Sequence, residues 1–229
     1  MKNFNFLEKK IGITFKDKKL LETAFVHRSY LNEHKRFPLS HNERLEFLGD
    51  AVLELVVTEY LYKNYSNPEG ELTNWRAALV RGETISRVAK RLGFNDYLYL
   101  SRGEAKSEGR SRELILANTF EAFIGALYLD QGLKRTAQFI IKNLIPELEI
   151  ILAKNLYKDA KSKLQEIAQE KFKITPSYKV LKEEGPDHKK IFTVGVYLEN
   201  KLIGRGKGSS KQAAELVAAQ KALDKNQFK

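Results

Sequence analysis

Two distant segments carry oxygen-bearing side chains at a spacing that suits metal binding or acid–base chemistry. Glu43, Glu46 and Asp50 follow one another at steps of three and four residues. On a helix these steps place all three carboxylates within an arc of about 60°. Asn118 and Glu121 lie three residues apart and repeat the arrangement further along the chain. If the two helices pack together, we expect these oxygens to converge on one cleft.

The first acidic segment lacks a compensating positive charge. Between residues 45 and 57 the charged residues are Glu46, Asp50 and Glu54, with no Lys or Arg. Carboxylates this close raise one another's pKa unless a cation lies between them. Mg²⁺ would serve, because it binds carboxylate and amide oxygens and keeps several waters. Gly49, within the same segment, would let another backbone or a substrate approach closely. The alternative is two ordinary amphipathic helices with solvated acidic faces, and spacing by itself favours that alternative.

Helices are predicted for almost all of residues 1–155. Four segments show the three-and-four apolar spacing of amphipathic helices. They are residues 43–64, 71–92, 112–130 and 134–153. Gly93 is expected to end the second helix, and Gly132 to separate the last two. Residues 101–111 are rich in Gly, Ser and charge, which predicts an exposed loop.

The pattern changes over residues 156–229. A helix is predicted at residues 158–172, three strands at 177–181, 191–198 and 202–205, and a last helix at 209–225. Residues 199–201 predict a tight turn in which Asn200 takes positive φ. The predicted fold is therefore an all-α domain at 1–155 followed by a small α+β domain. Its α-β-β-β-α order implies a three-stranded antiparallel sheet with two helices on one face.

The charge balance indicates a polyanionic partner. Lys and Arg number 40 against 29 Asp and Glu, a net charge of +11. Residues 156–229 contribute 16 basic and 9 acidic residues, or +7 of that surplus. Nucleic acid and an acidic membrane face are the two partner classes that fit. No apolar run approaches 18 residues, and cysteine is absent, which excludes disulfides and thiol chemistry. We expect a cytoplasmic protein with no membrane partner.

One stretch resembles the signature of the bacterial ribonuclease III family. It reads His41-Asn-Glu-Arg-Leu-Glu-Phe-Leu-Gly-Asp-Ala-Val-Leu. Segments beginning at Trp75, Gly103 and Leu116 resemble the family in the same order, so the resemblance covers nearly the whole chain. It implies an endonuclease of double-stranded RNA that uses Mg²⁺, with Mn²⁺ as a substitute, and leaves 5′-phosphate and 3′-hydroxyl ends. It also implies a homodimer that processes ribosomal RNA precursors and structured messenger RNA.

The resemblance assigns roles to the acidic residues. It makes Glu46, Asp50 and Glu121 catalytic metal ligands. Glu43 and Glu69 would be supporting acids near the cleft. Phe47 occupies the place of an aromatic plug that docks into the partner subunit, although plain core packing also explains a phenylalanine there.

Asn118 departs from the family pattern, which has Asp at this place. An amide oxygen still ligates Mg²⁺, so Asn118 stays in the predicted catalytic and metal set. The lost negative charge leaves a second reading open, a catalytically impaired regulator that binds double-stranded RNA. A structural component of an RNA–protein particle is another non-enzymatic alternative.

The last domain resembles the double-stranded-RNA-binding domain, which reads duplex shape across two minor grooves. This resemblance predicts RNA contacts from the first helix, a loop and the start of the last helix. The residues are Ser162, Gln165, Glu166, Gln169, His188, Lys207, Ser209, Ser210 and Lys211. The family often has two adjacent lysines at 210 and 211, so Ser210 predicts weaker phosphate contact.

Two other polar groups are weaker candidates. His27-Arg-Ser29 suggests a nucleophile, but a packing or helix-capping role is favoured because no triad partner is spaced for it. Lys106, Arg110 and Arg112 either contact backbone phosphate or form part of a solvated loop.

Overall fold

The computed structural model describes residues 2–157, 160–186 and 190–224. The chain divides into two compact units, Met1–Tyr157 and Lys158–Lys229. This division falls two residues beyond the boundary predicted from the sequence. Each unit is described by itself.

The first unit is built from helices, as predicted. They are α1 (Asn5–Ile11), α2 (Lys18–Ala24), α3 (Arg28–Glu33), α4 (Glu43–Asn64), α5 (Glu69–Leu79), α6 (Gly82–Leu92), α7 (Arg102–Ala105), α8 (Gly109–Asn143) and α9 (Glu147–Ala153), with a 3₁₀ turn at Phe94–Tyr97. An isolated parallel bridge joins Val26 to Tyr99. Helices α4 and α8 form the most extensive packing pair. Fully buried phenylalanines fill the core, among them Phe25 and, on α8 itself, Phe120 and Phe123.

The single helix predicted for residues 71–92 is wrong, because the chain breaks between α5 and α6. Arg81 is extended (φ −68°, ψ 139°) where a helix would need ψ near −40°. Thr84 donates its hydroxyl proton to the carbonyl oxygen of Ala78 across the break. Helix α5 packs against α4 and α9, whereas α6 packs mainly against α8. The chain therefore turns so that the two apolar stripes reach different partners.

The exposed loop predicted for residues 101–111 is also partly helical. Helix α7 occupies four of its residues, and α8 already begins at Gly109. Arg112 donates from its guanidinium to the carbonyl oxygens of Glu104 and Ala105. Because this group closes the end of α7, Arg112 is a structural residue rather than a free phosphate ligand.

The two glycines expected to end helices do so. Gly93 ends α6 in the left-handed conformation, with φ 85°. Gly132 (φ 76°, ψ 176°) kinks α8 where two separate helices were predicted. The second predicted helix, 134–153, is interrupted after Asn143, and α9 begins after Pro146. Proline cannot continue the hydrogen-bond pattern of the preceding helix, which accounts for this break.

The second unit has the predicted α-β-β-β-α order. Its elements are α10 (Ala160–Phe172), β1 (Ser177–Glu184), β2 (Ile191–Leu198), β3 (Lys201–Gly208) and α11 (Lys211–Asp224). The antiparallel sheet has the order β1-β2-β3. One face carries both helices around Leu164, Val196, Ile203 and the alanines of α11. A Cβ on Gly206 would lie 2.2 Å from the carbonyl oxygen of Ala214, so a glycine is required where β3 meets α11.

The turn between β2 and β3 differs from the prediction in one residue. Leu198 pairs with Lys201, which leaves Glu199 and Asn200 as a two-residue turn. Glu199, not Asn200, has positive φ, at 51°. A two-residue turn with positive φ at its first position matches the twist of the flanking strands.

No helix within the described residues is both long enough and apolar enough to span a membrane.

Candidate active site

The acidic residues are brought together by a backbone contact between α4 and α8. A Cβ added to Gly49 would lie 1.7 Å from the carbonyl oxygen of Glu121. A Cβ added to Gly125 would lie 2.2 Å from the carbonyl oxygen of Leu45. Only glycine permits this approach, so the close contact anticipated at Gly49 is real. The matching Gly125 was missed, although an isolated glycine in a helical pattern often marks such packing.

This crossing places the four predicted ligand residues in one cluster. Asn118 forms a side-chain hydrogen bond with Glu46, in which the amide N–H donates to the carboxylate. Glu121 lies close enough to Asp50 and Glu46 for their charges to act on it. Asp50 is exposed, while Glu46, Asn118 and Glu121 are half-buried. The helices thus bring together residues that are some 70 positions apart in the sequence.

The cluster resists full ionisation in the protein alone. Burial, with the charges of Asp50 and Glu46, raises the pKa of Glu121 to about 8. Burial and the charge of Glu43 also raise the pKa of Glu46, and the hydrogen bond from Asn118 opposes that rise. A cation placed among these oxygens would favour the charged forms. The site therefore has the electrostatics of a cation-binding cleft.

Glu43 is held by basic side chains at the start of α4. Its Oε1 lies 3.3 Å from Arg28 Nη1, and its Oε2 lies 3.6 Å from His41 Nδ1. It still acts on Glu46 through its charge. Glu43 thus borders the cluster, with part of its charge already balanced.

Glu69 is not brought to the cluster within one chain. It begins α5 and lines a groove of about 940 Å³ at the C-terminal end of α4, together with Tyr62, Tyr65 and Leu72. Glu46 and Tyr62 are separated by about 24 Å of helix, at a rise of about 1.5 Å per residue. A role for Glu69 beside the acids of its own subunit does not fit this geometry.

Phe47 is a surface residue. Its side chain is 83% exposed, which rules out the alternative of plain core packing. Ala51, Leu55 and Tyr62 continue the exposed face along α4, and Leu55 and Tyr62 are 55% and 79% exposed. An apolar stripe of this length on a helix surface marks an interaction surface more often than a solvated face.

The cluster is an open site rather than a preformed metal cage. Over residues 2–157, 160–186 and 190–224, no three His, Asp or Glu side chains are grouped closely enough to enclose a metal ion. Mg²⁺ differs from zinc in this respect, because it is commonly held by one or two carboxylates, waters and substrate phosphates. The donor set here, carboxylates and one amide, consists of the hard oxygens that Mg²⁺ prefers.

His27 and Ser29 serve as a helix cap. His27 Nδ1 accepts a hydrogen bond from the backbone N–H of Ser29 at 3.3 Å and contacts its Oγ at 2.7 Å. Ser29 Oγ also accepts from the N–H of Ser101. Burial lowers the pKa of His27, with Glu104 and Glu43 opposing. These contacts support the predicted capping role over a nucleophile.

The predicted RNA contacts of the second unit are exposed at two places. Ser162, Gln165, Glu166 and Gln169 line a shallow groove of about 540 Å³ on the outer side of α10. Lys207, Ser209, Ser210 and Lys211 are exposed around the end of β3 and the start of α11. Ser210 Oγ accepts from the N–H of Ala213, as a helix-capping serine does. His188 lies outside the described residues.

Two family models match the chain, one in each unit. Residues 17–148 match "Ribonuclease-III-like" and residues 160–226 match "Double-stranded RNA binding motif". A curated ribonuclease 3 from Streptococcus pneumoniae (strain CGSP14) is 47% identical over 220 residues, which is 96% of this chain and 94% of that protein. The chain belongs to the ribonuclease III family. Ribonuclease 3 from Streptococcus gordonii is 46% identical over 222 residues, or 96% of this chain and 95% of that protein.

Solved nuclease domains of the ribonuclease III family share the fold of the first unit. A 2.2 Å crystal structure of this domain from Campylobacter jejuni is 37% identical, with a TM-score of 0.57, and covers 64% of this chain and 97% of that one. A second structure of the same nuclease domain, described for structural flexibility in a region involved in dimer formation, is 39% identical with a TM-score of 0.55. It covers 62% of this chain and 98% of that one. The protein is thus a ribonuclease III-family endoribonuclease with a double-stranded-RNA-binding domain.

Proposed function

We propose that the protein hydrolyses phosphodiester bonds in double-stranded RNA at the cluster of Glu46, Asp50, Asn118 and Glu121. The observation that carries this proposal is the Gly49–Gly125 crossing, which gathers four oxygen donors from two helices into one open cleft. The products would carry 5′-phosphate and 3′-hydroxyl ends. Cytoplasmic ribosomal RNA precursors and structured messenger RNA are the proposed substrates.

The four residues would hold Mg²⁺, or Mn²⁺ in its place. The bound ion would lower the pKa of a water and offset charge on the phosphoryl oxygens. Glu121 would lose its proton on binding, because its pKa is raised to about 8 in the protein alone. Asn118 would keep Glu46 oriented through its amide N–H, leaving the amide oxygen free to face the cation. Water would be the attacking group, and no side chain of the cleft would form a covalent bond to the RNA.

Cleavage of an end-labelled perfect RNA duplex tests the proposal. Paired reactions should contain the full chain with Mg²⁺ or with EDTA, and a single strand of the same sequence should serve as the control. We expect defined fragments from the duplex only when Mg²⁺ is present. Equal cleavage in EDTA, or equal cleavage of the single strand, would contradict the proposed mechanism.

A regulator that binds duplex RNA without cutting it is the second candidate, and Asn118 is the observation that favours it. The neutral amide leaves three carboxylates in the cluster where the family pattern has four acids. Those three carboxylates still suffice for a hard cation, which binds through one or two of them. We therefore place the enzyme first.

Replacing Asn118 by Asp should lower the Mg²⁺ concentration needed for half-maximal cleavage by about three- to ten-fold. A carboxylate attracts Mg²⁺ more strongly than an amide dipole does, even at the effective dielectric constant of about 20 near a protein surface. The variant also loses the N–H that Asn118 donates to Glu46, so the gain should shrink at saturating metal. Cleavage rates titrated against Mg²⁺ for both forms measure this. Superimposable curves would show that residue 118 does not approach the cation.

We further propose that the active form is a homodimer built on the exposed face of α4. Dimers of identical chains mostly have two-fold symmetry, so one patch meets itself. An axis near Leu55 would bring Phe47 of one chain to the Tyr62 groove of the other, because the two residues lie at similar distances on either side of Leu55. Glu69 lines that groove, so it would then stand near the acidic end of α4 in the other chain.

Phe47→Ser should shift the protein from dimer to monomer in analytical ultracentrifugation. Loss of a buried aromatic anchor commonly costs about 2 kcal/mol or more at an interface, which is at least about 30-fold in the dimer dissociation constant. Leu114→Ser is the matched control, since Leu114 is also exposed, at 62%, but lies outside α4. If the dimer dissociation constant of Phe47→Ser equals that of wild type, the interface lies elsewhere on the chain.

A further inference from the structure

The lysine that begins α11 is already engaged by an acid of its own unit. Lys211 Nζ lies 3.6 Å from Oε1 of Glu183, the penultimate residue of β1. The same ammonium lies 5.7 Å from the ring centroid of Phe192. Phe192 pairs with Glu183 on one side and with Gly208 on the other. The Lys211 head group is therefore directed across the end of the sheet toward β1.

Glu183 contacts a second lysine at the same end of the sheet. Its Oε2 lies 4.0 Å from Lys190 Nζ. The neighbouring Glu184 lies 2.6 Å from Lys182 Nζ, and its pKa is lowered mainly by that lysine, with a smaller effect of Lys207. Two acids at the end of β1 thus face the basic residues proposed to contact RNA phosphate.

A phosphate that binds Lys211 must contend with the Glu183 carboxylate. The Lys211 ammonium carries one positive charge, and an anion on its far side would lie within about 6–7 Å of the carboxylate. That is shorter than the screening length of about 8 Å in physiological salt, so the two anions repel each other. Either the ion pair breaks or the phosphate binds beside a like charge. Both outcomes weaken binding relative to an unpaired lysine.

The ion pair is weak enough to be displaced. Its side chains are 60% and 40% exposed for Lys211 and Glu183, and pairs with this exposure contribute little to stability. RNA that presents several phosphates in register can therefore outcompete the carboxylate, whereas a single stray phosphate gains less.

We propose that Glu183 is an internal competitor for RNA phosphate at Lys211, and that it lowers the affinity of the protein for duplex RNA. The inference rests on the proposed binding of double-stranded RNA by the second unit. It makes Glu183 an affinity-setting residue that the sequence alone did not single out.

The test compares Glu183→Gln with Glu199→Gln in the full chain. Both changes remove one negative charge and keep the side-chain shape. Glu199 lies in the β2–β3 turn, at the other end of β2, about 20 Å away at a rise of about 3.3 Å per residue. We expect Glu183→Gln to bind a labelled RNA duplex in EDTA about two- to five-fold more tightly than wild type. Glu199→Gln should tighten binding clearly less than Glu183→Gln does, because its charge lies far from Lys211.

A double-mutant cycle with Lys211→Ala assigns the effect to the pair. In the Lys211→Ala background, Glu183→Gln should no longer tighten binding, because the lysine for which the two anions compete is gone. Persistent tightening, or equal tightening by Glu199→Gln, would overturn the proposal in favour of a general charge effect. Failure of the wild-type protein to bind duplex at all would instead refute the proposed RNA binding.

Discussion

Glu121→Gln should lose at least about 10²-fold in the rate of duplex cleavage while keeping nearly all of the affinity for duplex RNA. Glu121 is the acid that α8 contributes to the cleft, at the point where its backbone touches Gly49. Gln keeps the shape and one oxygen but removes the charge that attracts a cation. Removing one preorganised electrostatic group from an active site commonly costs about 10²–10³ in rate. Single-turnover cleavage and binding in EDTA give the two quantities.

The stability of the metal-free variant serves as the control for folding. Because the pKa of Glu121 is raised from 4.5 to about 8 in the folded state, its ionisation is less favourable there than in the unfolded chain. This group therefore makes wild type progressively less stable as the pH rises from about 4.5 to about 8. Glu121→Gln lacks that titration. In EDTA it should be as stable as wild type near pH 4 and more stable at pH 8.5, as measured by urea unfolding.

Proton release gives a readout that does not depend on cleavage. Wild type should release protons when Mg²⁺ is added at pH 7, because Glu121 is largely protonated in the metal-free protein. Glu121→Gln should release fewer. A variant that is folded by the stability test, yet cleaves at the wild-type rate, would remove Glu121 from the active site.

Helical periodicity in the sequence predicts which residues of the site share one face of each helix. Steps of three and four residues place Glu46 beside Asp50 on α4, and Asn118 beside Glu121 on α8, because the helix fixes those angles. Periodicity does not say which helices touch. That information lies in the glycine pair, and only Gly49 was recognised, since Gly125 falls in an otherwise ordinary apolar stretch.

Other features depended on tertiary contacts that no local pattern contains. The break at Arg81 arises because α5 and α6 pack against different helices, although the apolar spacing runs through both. Glu69 resembled a supporting acid in the sequence, but it lies at the far end of α4 from Glu46. The pairing of Glu183 with Lys211 joins β1 to α11 across the sheet, so their sequence positions gave no sign of it.

The second large effect is expected when residues 158–229 are removed. The first unit should remain folded, since the nuclease domain of the Campylobacter jejuni relative has been solved in that form. The removed segment holds 16 Lys and Arg against 9 Asp and Glu, together with the polar face of α10. Its loss should weaken duplex binding by at least about 10²-fold at physiological salt, because phosphate contacts supply much of the affinity for nucleic acid.

The salt dependence distinguishes lost phosphate contacts from general damage. Each phosphate contact contributes about −0.7 to −0.9 to the slope of log K against log salt for nucleic acids. Truncation should therefore make the slope less steep by the contribution of several phosphate contacts. Lys207→Ala in the full chain should change the slope by the contribution of one contact at most. Slow cleavage by the truncated protein should persist at low salt, since Glu46, Asp50, Asn118 and Glu121 all remain. If the slope is unchanged by truncation, the phosphate contacts lie in the first unit, and the basic surplus of the second unit has another role.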